Sequence, residues 1–210
     1  MIQPLDAPRL REAVDRLAER DSQIAAALAG IGYPEPRIRE PGFATLLEIV
    51  VAQQVSTHAA AAIWRRFRDR LGGTIVPAGV LGLTDEDFRA AGFSRRKVEY
   101  ARALAEAVVS GRFPVAALPA MDDAAIVSAI AAQRGFGPWS AEVYCLFALG
   151  RIDCLPADDL ALQVAAQRLK VLPARPDGKA LRELAQSWRP WRGAAALFLW
   201  HYYRRATLDH

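Results

Sequence analysis

Residues 134–140 read RGFGPWS and lie between two stretches whose apolar residues have helical spacing. The glycines permit positive φ angles and close approach of another backbone, and Pro138 suits a first helical turn, where no N–H donor is needed. The pattern predicts helices over about 122–133 and 138–149, joined by a tight hairpin at 134–138. Such a hairpin directs backbone N–H groups and the positive end of a helix dipole outward, which suits a phosphate group. On its own, an ordinary corner between two helices explains the pattern equally well.

The rest of the chain also has helical rather than alternating periodicity. A Pro-rich connector, GYPEPRIREPG, separates a first helical region from a second one over 43–71, which has a break near 55–57. Thr84, with Asp87 three residues later, predicts a helix N-terminus with a variant capping box. The sequence therefore predicts an all-α protein of many short helices. Further helices are predicted at about 95–110, 158–169, 178–187 and 190–205.

Composition limits the functional classes. The 210 residues are 52% hydrophobic, which allows a substantial core, and 27 Lys and Arg against 23 Asp and Glu give a net charge of +4. Most of the basic residues are Arg, whose planar fork suits phosphate, although a compositional bias explains them as well. Two Cys and three His argue against a disulfide scaffold, a structural zinc site and a four-thiolate iron–sulfur cluster.

No secretory signal and no membrane-spanning segment is predicted. The N-terminal residues carry acids among their apolar positions, and no window approaches the roughly 18 apolar residues that a spanning helix needs. We expect a cytoplasmic protein without a membrane partner.

Two adjacent acids, Asp158 and Asp159, stand in the stretch LPADDLALQ, residues 155–163, before an apolar run. One carboxylate can cap the helix that begins near Leu160, and a second can interact with the helix dipole. A cap needs only one carboxylate, so the second acid is free for another role.

The hairpin, the W-S-A-E run through its second helix and the P-A-D-D-L that follows about twenty residues later resemble the helix-hairpin-helix DNA glycosylase superfamily. Within it the chain looks like the 3-methyladenine DNA glycosylase II, or AlkA-like, branch. Three further stretches carry the likeness, which spans 42–205: AQQVS at 52–56, GFSRRKVEY at 92–100 and SWRPWRG at 187–193. Residues 1–41 resemble the helical N-terminus of the short members, which lack a β-rich N-terminal lobe.

The resemblance implies one glycosylase unit over 1–210 with two helical lobes and a DNA- and base-binding cleft between them. One lobe is 42–150, and the other combines 1–41 with 151–210. The implied activity is excision of alkylated purines, of the 3-methyladenine and 7-methylguanine type, by hydrolysis of the N-glycosidic bond after base flipping. Such an enzyme initiates base excision repair on damaged double-stranded DNA, and we expect it to act as a monomer.

The resemblance matches Asp159 to the catalytic aspartate and leaves Asp158 as the better candidate for a structural, partly capping role. Cleavage builds positive charge on the deoxyribose, which a fixed carboxylate can stabilise, or the carboxylate can orient the attacking water. Bases alkylated at N3 or N7 of a purine are already cationic and leave without a general acid.

Aromatic side chains suit a cationic base, at about 0.5–2 kcal/mol for each well-placed contact. Trp139 and Trp191 match positions that line the base pocket in the family, while Val143 replaces an aromatic residue often found one turn after Trp139. Other aromatic residues of the C-terminal helical segment are interpreted as core: Trp188, Phe198, Trp200 and Tyr202.

The resemblance also implies which residues contact DNA. Gln54 matches the side chain that fills the gap left by the flipped base, although a polar residue ending a buried helix is an equal alternative. The resemblance implies backbone contacts at the hairpin and a monovalent cation, Na or K, on nearby carbonyls, with no required cofactor. The hairpin contacts are Gly135, Phe136, Gly137 and Ser140, and the cation ligands are the carbonyls of Ala131, Gln133 and Phe136.

Basic clusters at 65–68 and 95–97 could reach phosphates or form solvated faces. Two other readings remain open. One is a glycosylase for oxidised or deaminated bases, including a bifunctional lyase; a lyase needs an amine, but Ser140 stands at the matching position. The other is a non-catalytic helix-hairpin-helix DNA-binding module.

Overall fold

The computed structural model describes residues 3–206 of the chain. These residues form α-helices, two short 3-10 helices at Val115–Ala120 and Ala185–Trp188, and connecting turns, with no β-strand among them. The all-α prediction is therefore confirmed. In chain order the α-helices are α1 Ala7–Arg20, α2 Ser22–Ile31, α3 Phe43–Ala52, α4 Thr57–Arg70, α5 Pro77–Leu81, α6 Asp85–Ala91, α7 Arg95–Val109, α8 Asp123–Ala131, α9 Pro138–Phe147, α10 Leu160–Leu169, α11 Gly178–Leu184 and α12 Arg192–Ala206.

Side-chain caps set many of the helix boundaries. The predicted break near 55–57 is confirmed: the Ser56 hydroxyl accepts the Ala59 N–H at 3.2 Å and begins α4. The capping box of Thr84 and Asp87 is present at the start of α6. The first helical region was predicted as one helix but consists of two. Asp21 is the single residue between α1 and α2, and its carboxylate accepts the Ile24 N–H and so caps the start of α2.

The described residues divide into two compact units. Arg39–Tyr144 is the central unit, and 3–38 together with 145–206 form the terminal unit. The core of the central unit contains a cluster of Phe67, Phe88 and Phe93, with ring centroids 4.6 to 5.6 Å apart. Burying such rings supplies much of the free energy that holds the short helices together.

In the terminal unit, α12 packs against α10, α1 and α2, so residues from both ends of the sequence share one core. Every residue of α12 from Ala194 to Leu199 is buried, so this part of the helix is covered on all sides. No α-helix in the described part of the chain is long and apolar enough to cross a membrane.

Candidate nucleic-acid interface and active site

The hairpin of the central unit runs from the last residue of α8, Ala131, to the first residue of α9, Pro138. The Phe136 N–H donates to the Gln133 carbonyl at 3.1 Å and closes the turn, and the Phe136 side chain is buried. The predicted helix–hairpin–helix is therefore present, with Pro138 in the first helical turn as expected.

The two hairpin glycines differ. Gly135 has φ +90°, and a β-carbon added there would fall inside the ring of Tyr100, so both its backbone angle and its close packing require glycine. At Gly137 φ is not in the left-handed region and no atom lies within 4 Å of an added β-carbon. The expectation that both glycines supply positive φ or close packing is therefore wrong for Gly137, which instead leaves open space beside its backbone.

The first turn of α9 presents N–H groups that have no acceptor within the helix. The first helical hydrogen bond runs from the Ala141 N–H to the Gly137 carbonyl at 3.2 Å, so the N–H groups of Gly137 and Ser140 precede the helical ladder. The Ser140 side chain is 2% exposed, and its hydroxyl accepts a hydrogen bond from Gln53 at 3.0 Å.

Gln53 links the end of α3 to this hairpin. Its amide nitrogen donates to the Gly135 carbonyl and to the Ser140 hydroxyl, each at 3.0 Å. On the other side, the Lys97 ammonium donates to the Val51 carbonyl at 2.6 Å, and burial lowers the pKa of Lys97 below its ordinary value. Lys97 thus bonds to the end of α3, and the two readings of the basic cluster at 95–97 stay open for Arg95 and Arg96.

Gln54 follows at the tip of the turn between α3 and α4. It is exposed and has φ +56°, an unusual conformation for a residue other than glycine. Strained residues of this kind are often found at functional sites, and the conformation presents a long polar side chain to solvent.

The Asp159 carboxylate of the terminal unit is held by two N–H donors. Its Oδ1 accepts the Leu162 N–H at 3.1 Å, as the cap of α10, and the indole N–H of Trp200 at 3.1 Å. The preceding turn decides which acid is the cap, because the Asp159 N–H donates to the Pro156 carbonyl and leaves Asp159 as the last residue before the helix. The expectation that Asp158 partly caps the helix is therefore wrong.

Asp158 instead forms an ion pair with Arg182 of α11, with 2.7 Å between the Arg182 Nη2 and the Asp158 Oδ2. Both side chains are substantially exposed, at 36% for Arg182 and 50% for Asp158, so the pair contributes at most about 1 kcal/mol. Asp159 is therefore anchored to the start of α10, whereas Asp158 forms an ion pair at the surface.

One aromatic ring and one guanidinium lie beside the indole that binds Asp159. The rings of Trp200 and Phe147 lie 5.6 Å apart, and the Arg37 guanidinium lies 5.5 Å from the Trp200 centroid and 5.8 Å from the Phe147 centroid. Trp188 and Phe198 are buried, as core residues should be, whereas Trp200 and Tyr202 are only half-buried. The interpretation of Trp200 as a core residue is therefore wrong.

The two tryptophans predicted for the base pocket lie in different units. Trp191 is half-buried in the terminal unit, with the Arg20 guanidinium 4.5 Å from its ring centroid. It precedes α12 by one residue, whereas Trp200 is nine residues further on, which along a helix is about 13 Å. Trp139 is half-buried on the first turn of α9 in the central unit, with Val143 buried one turn later. Their roles in the pocket stay predictions.

Carbonyl oxygens at the end of α8 are of the kind that binds a monovalent cation. The Ala131 carbonyl belongs to the last residue of the helix, where the dipole is negative, and the Gln133 carbonyl already accepts the Phe136 N–H. No group of three or more His, Cys, Asp or Glu capable of metal binding occurs among residues 3–206.

Sequence reasoning missed three contributors, Gln53, Trp200 and Arg37. An indole N–H that is removed from water needs a hydrogen-bond acceptor. This requirement was the only feature of the sequence that could indicate a polar contact for Trp200. Arg37 lies in the Pro-rich connector, where helical periodicity carries no information. The sequence does not distinguish Gln53 from Gln54, whereas in the structure Gln53 has φ −60° and is half-buried and Gln54 has φ +56° and is exposed.

The hairpin, with N–H groups at the start of α9, and the carboxylate anchored at the start of α10 mark an all-helical protein of the helix-hairpin-helix class. Residues 47–190 match the HhH-GPD superfamily of base excision DNA repair proteins, and the chain belongs to that superfamily.

Known relatives agree with this assignment. Over 165 residues the chain is 32% identical to DNA-3-methyladenine glycosylase 1 of Schizosaccharomyces pombe, covering 77% of this chain and 72% of that protein. A structure of the 3-methyladenine DNA glycosylase of that organism with abasic DNA has a TM-score of 0.83 and 28% identity, over 90% of this chain and 95% of that one. A DNA-3-methyladenine glycosidase from Bacillus halodurans has a TM-score of 0.79 and 30% identity, over 99% of this chain and 94% of that one. The predicted resemblance is confirmed.

Proposed function

We propose that this protein is a monofunctional DNA glycosylase that hydrolyses the N-glycosidic bond of alkylated purines in double-stranded DNA and so initiates base excision repair. The observation that carries the proposal is the Asp159 carboxylate, held by the N-terminus of α10 and by the Trp200 indole. The relatives named as 3-methyladenine DNA glycosylases support the same activity.

Asp159 supplies the charge that the reaction needs. As the bond between C1′ and the base nitrogen breaks, positive charge develops on the sugar, and a carboxylate fixed in advance stabilises it without reorganising. Water adds its hydroxyl group to C1′ and releases its remaining proton to the solvent. An N3- or N7-alkylated purine leaves as a neutral molecule, so this half of the reaction requires no proton donor.

Aromatic side chains select the flipped base. Trp200 is the indole that contacts Asp159, and its ring is therefore well placed to stack on the flipped base of the same nucleotide. Trp139 and Trp191 remain further candidates for the pocket. Gln54 is the side chain that enters the gap in the duplex, supported by its exposure and its left-handed backbone.

The hairpin binds the DNA backbone through its N–H groups. The open space at Gly137 and the Gly137 N–H would admit a phosphate oxygen, while the buried Ser140 holds the turn through its bond with Gln53. Phosphate contacts of this kind read no base sequence. Carbonyls of Ala131, Gln133 and Phe136 would hold a monovalent cation beside that phosphate. The cation would neutralise charge there and take no part in bond cleavage.

An AP-lyase step is absent from the proposed reaction because no amine stands at the position that lyases use. Ser140 occupies it, Lys97 is bound to Val51 and Lys170 to Asp21. Borohydride should therefore trap no stable adduct between the protein and DNA. Efficient trapping would show a Schiff base and would make the enzyme bifunctional.

Base release from dimethyl-sulfate-treated duplex DNA tests the main proposal. Asp159→Asn keeps an oxygen for the cap and for the Trp200 N–H but loses the charge, so we expect release to fall by about 100-fold or more with little loss of stability. Asp158→Asn is the matched control and should keep near-wild-type release. Equal losses in both variants at equal stability, or no release by the wild type, would refute the proposal.

A further inference from the structure

The turn between α3 and α4 is fixed to the hairpin by the side chain that precedes Gln54. The amide nitrogen of Gln53 donates to the Gly135 carbonyl and to the Ser140 hydroxyl, each at 3.0 Å, which uses both donors of a primary amide. Two acceptors on one planar group fix the rotation of this side chain as well as its position. Ser140 is 2% exposed, so water does not compete for its bond to Gln53.

The rest of this turn is fixed at both ends. The Lys97 ammonium of α7 donates to the Val51 carbonyl at 2.6 Å near the end of α3, and Ser56 caps the start of α4. Between these points Gln54 is exposed and has φ +56°, a conformation that such a residue keeps only where its surroundings impose it. Gln53, whose Cα is about 3.8 Å from that of Gln54, is the neighbour whose side chain anchors this conformation to the hairpin.

We propose that Gln53 is a positioning residue that couples phosphate binding at the hairpin to insertion of Gln54 into the duplex. The inference rests on the proposed function, through the DNA contacts assigned there to Gln54 and to the hairpin. A phosphate at the Gly137 N–H holds the hairpin against the DNA backbone, and the bonds of Gln53 then hold the α3–α4 turn in register with it. Gln54 is thereby preorganised for the gap, so the contacts at the hairpin and in the gap strengthen each other.

This coupling predicts that the effect of Gln53 depends on the presence of Gln54. Affinities are measured at one salt concentration for a duplex with a single stable abasic site and for the same duplex without it, and their ratio is the preference for the gap. Gln54→Ala and Gln53→Leu should each lower this preference by about fivefold or more. The double variant should lose no more than Gln54→Ala alone, because Gln53 acts on the gap only through Gln54.

Gln186→Leu is the matched control. The Gln186 side chain also makes two hydrogen bonds of 3.0 Å, to the Arg182 carbonyl and from the Arg189 Nε, but it lies in the terminal unit. This change should leave the preference at the wild-type value, alone and combined with Gln54→Ala. Urea unfolding of each variant measures its stability.

A second variant serves where Gln53→Leu does not fold. Ser140→Ala removes one of the two bonds of Gln53 and leaves its bond to the Gly135 carbonyl. We expect a smaller loss of preference than in Gln53→Leu, and again no further loss when Gln54→Ala is present.

The remaining outcomes separate this inference from the glycosylase proposal. Equal losses of affinity for both duplexes in Gln53→Leu would show a purely structural role, and losses that multiply in the double variant would show that Gln53 acts independently of Gln54. Either result, or a wild type without preference for the abasic site, overturns the coupling and leaves the glycosylase proposal intact. No base release from alkylated DNA by a wild type that shows the coupling would refute the glycosylase proposal and leave the role of Gln53 supported.

Discussion

At the scale of single residues, two residues other than glycine within 3–206 have a left-handed backbone conformation. Gln54 has φ +56° and Val171 has φ +51°, and the Val171 side chain is 82% exposed. The left-handed conformation costs an L-residue roughly 1–2 kcal/mol, most for a β-branched one such as valine. The left-handed backbone of Val171 closes the C-terminus of α10, because the Val171 N–H donates to the Arg168 carbonyl at 3.3 Å and the Leu172 N–H donates to the Gln167 carbonyl at 2.9 Å.

Replacing each of these residues by glycine should separate strain from function. Val171→Gly and Gln54→Gly should each stabilise the protein, by about 0.5–1 kcal/mol, because glycine adopts positive φ without steric cost. Only Gln54→Gly should weaken binding to duplex DNA and slow base release, since it removes the side chain proposed to enter the gap. Urea unfolding and single-turnover base release measure the two effects.

The paired design makes the result interpretable. If both glycine variants are stabilised and both release bases at the wild-type rate, Gln54 has no role in holding the flipped state. A destabilised Val171→Gly would instead show that the unfolded-chain entropy of glycine outweighs the strain.

At the scale of elements, the hairpin joins α8 to α9 and is attached to α3 and α7. Gln53 bonds the Gly135 carbonyl, and Arg134 forms an ion pair with Glu99 of α7 at 2.7 Å. Tyr100, the next residue of α7, packs where a β-carbon of residue 135 would lie. The hairpin geometry therefore depends on neighbouring elements more than on its own sequence.

The two hairpin glycines should respond differently to the same added methyl group. Gly135→Ala should destabilise the protein by about 2 kcal/mol or more, because the methyl meets the Tyr100 ring and φ is +90°. Gly137→Ala should leave the unfolding free energy within about 0.5 kcal/mol and weaken DNA binding, because the methyl enters the open space proposed for the phosphate. Thermal unfolding and titration with abasic duplex DNA measure both.

Each of the two glycine predictions has an outcome that would contradict it. Unchanged DNA affinity in Gly137→Ala would place the phosphate elsewhere. A fully stable Gly135→Ala would show that Tyr100 can move away from the hairpin.

Periodicity and capping residues predicted most helices of this chain, because both act over a few neighbouring residues. The start of α6 at Thr84 and the break before α4 followed from such local signals. Local signals did not predict the helix boundary at Asp21, because the apolar spacing continues across it. They also did not predict whether Asp158 or Asp159 caps α10, because this depends on the turn at Pro156.

From the sequence, the role of a site residue could be predicted only where that role does not depend on contacts with residues far away in the chain. The contacts of Trp200 with Asp159 and with Arg37 join residues far apart in the sequence, and packing rather than pattern brings them together. Trp200 was assigned to the core because a tryptophan on an apolar helix gives the same sequence signal in either role.

At the scale of the whole molecule, the terminal unit is made from the two ends of the sequence, and Asp21 joins them. Its buried carboxylate accepts hydrogen bonds from the Lys170 ammonium at 2.8 and 2.9 Å and from the Trp188 indole N–H at 2.8 Å. Burial raises the pKa of Asp21, but the hydrogen bonds from Lys170, Trp188 and the Ile24 N–H outweigh burial and hold that pKa below its ordinary value. The folded state therefore favours the ionised form of Asp21.

This linkage predicts how stability depends on pH. Because the pKa of Asp21 is lower in the folded than in the unfolded chain, its contribution is fully present above the unfolded pKa, about 3.9, and is lost as pH falls through the folded pKa. Asp21→Asn leaves Lys170 without its counter-charge and should cost about 3 kcal/mol at pH 7. Its deficit relative to the wild type should shrink towards pH 3. Urea unfolding at both pH values measures this, with Asp122→Asn, an exposed cap of α8, as a control that should lose less than about 1 kcal/mol. A deficit for Asp21→Asn that stays constant from pH 7 to pH 3 would mean that the carboxylate charge does not hold the two ends of the chain together.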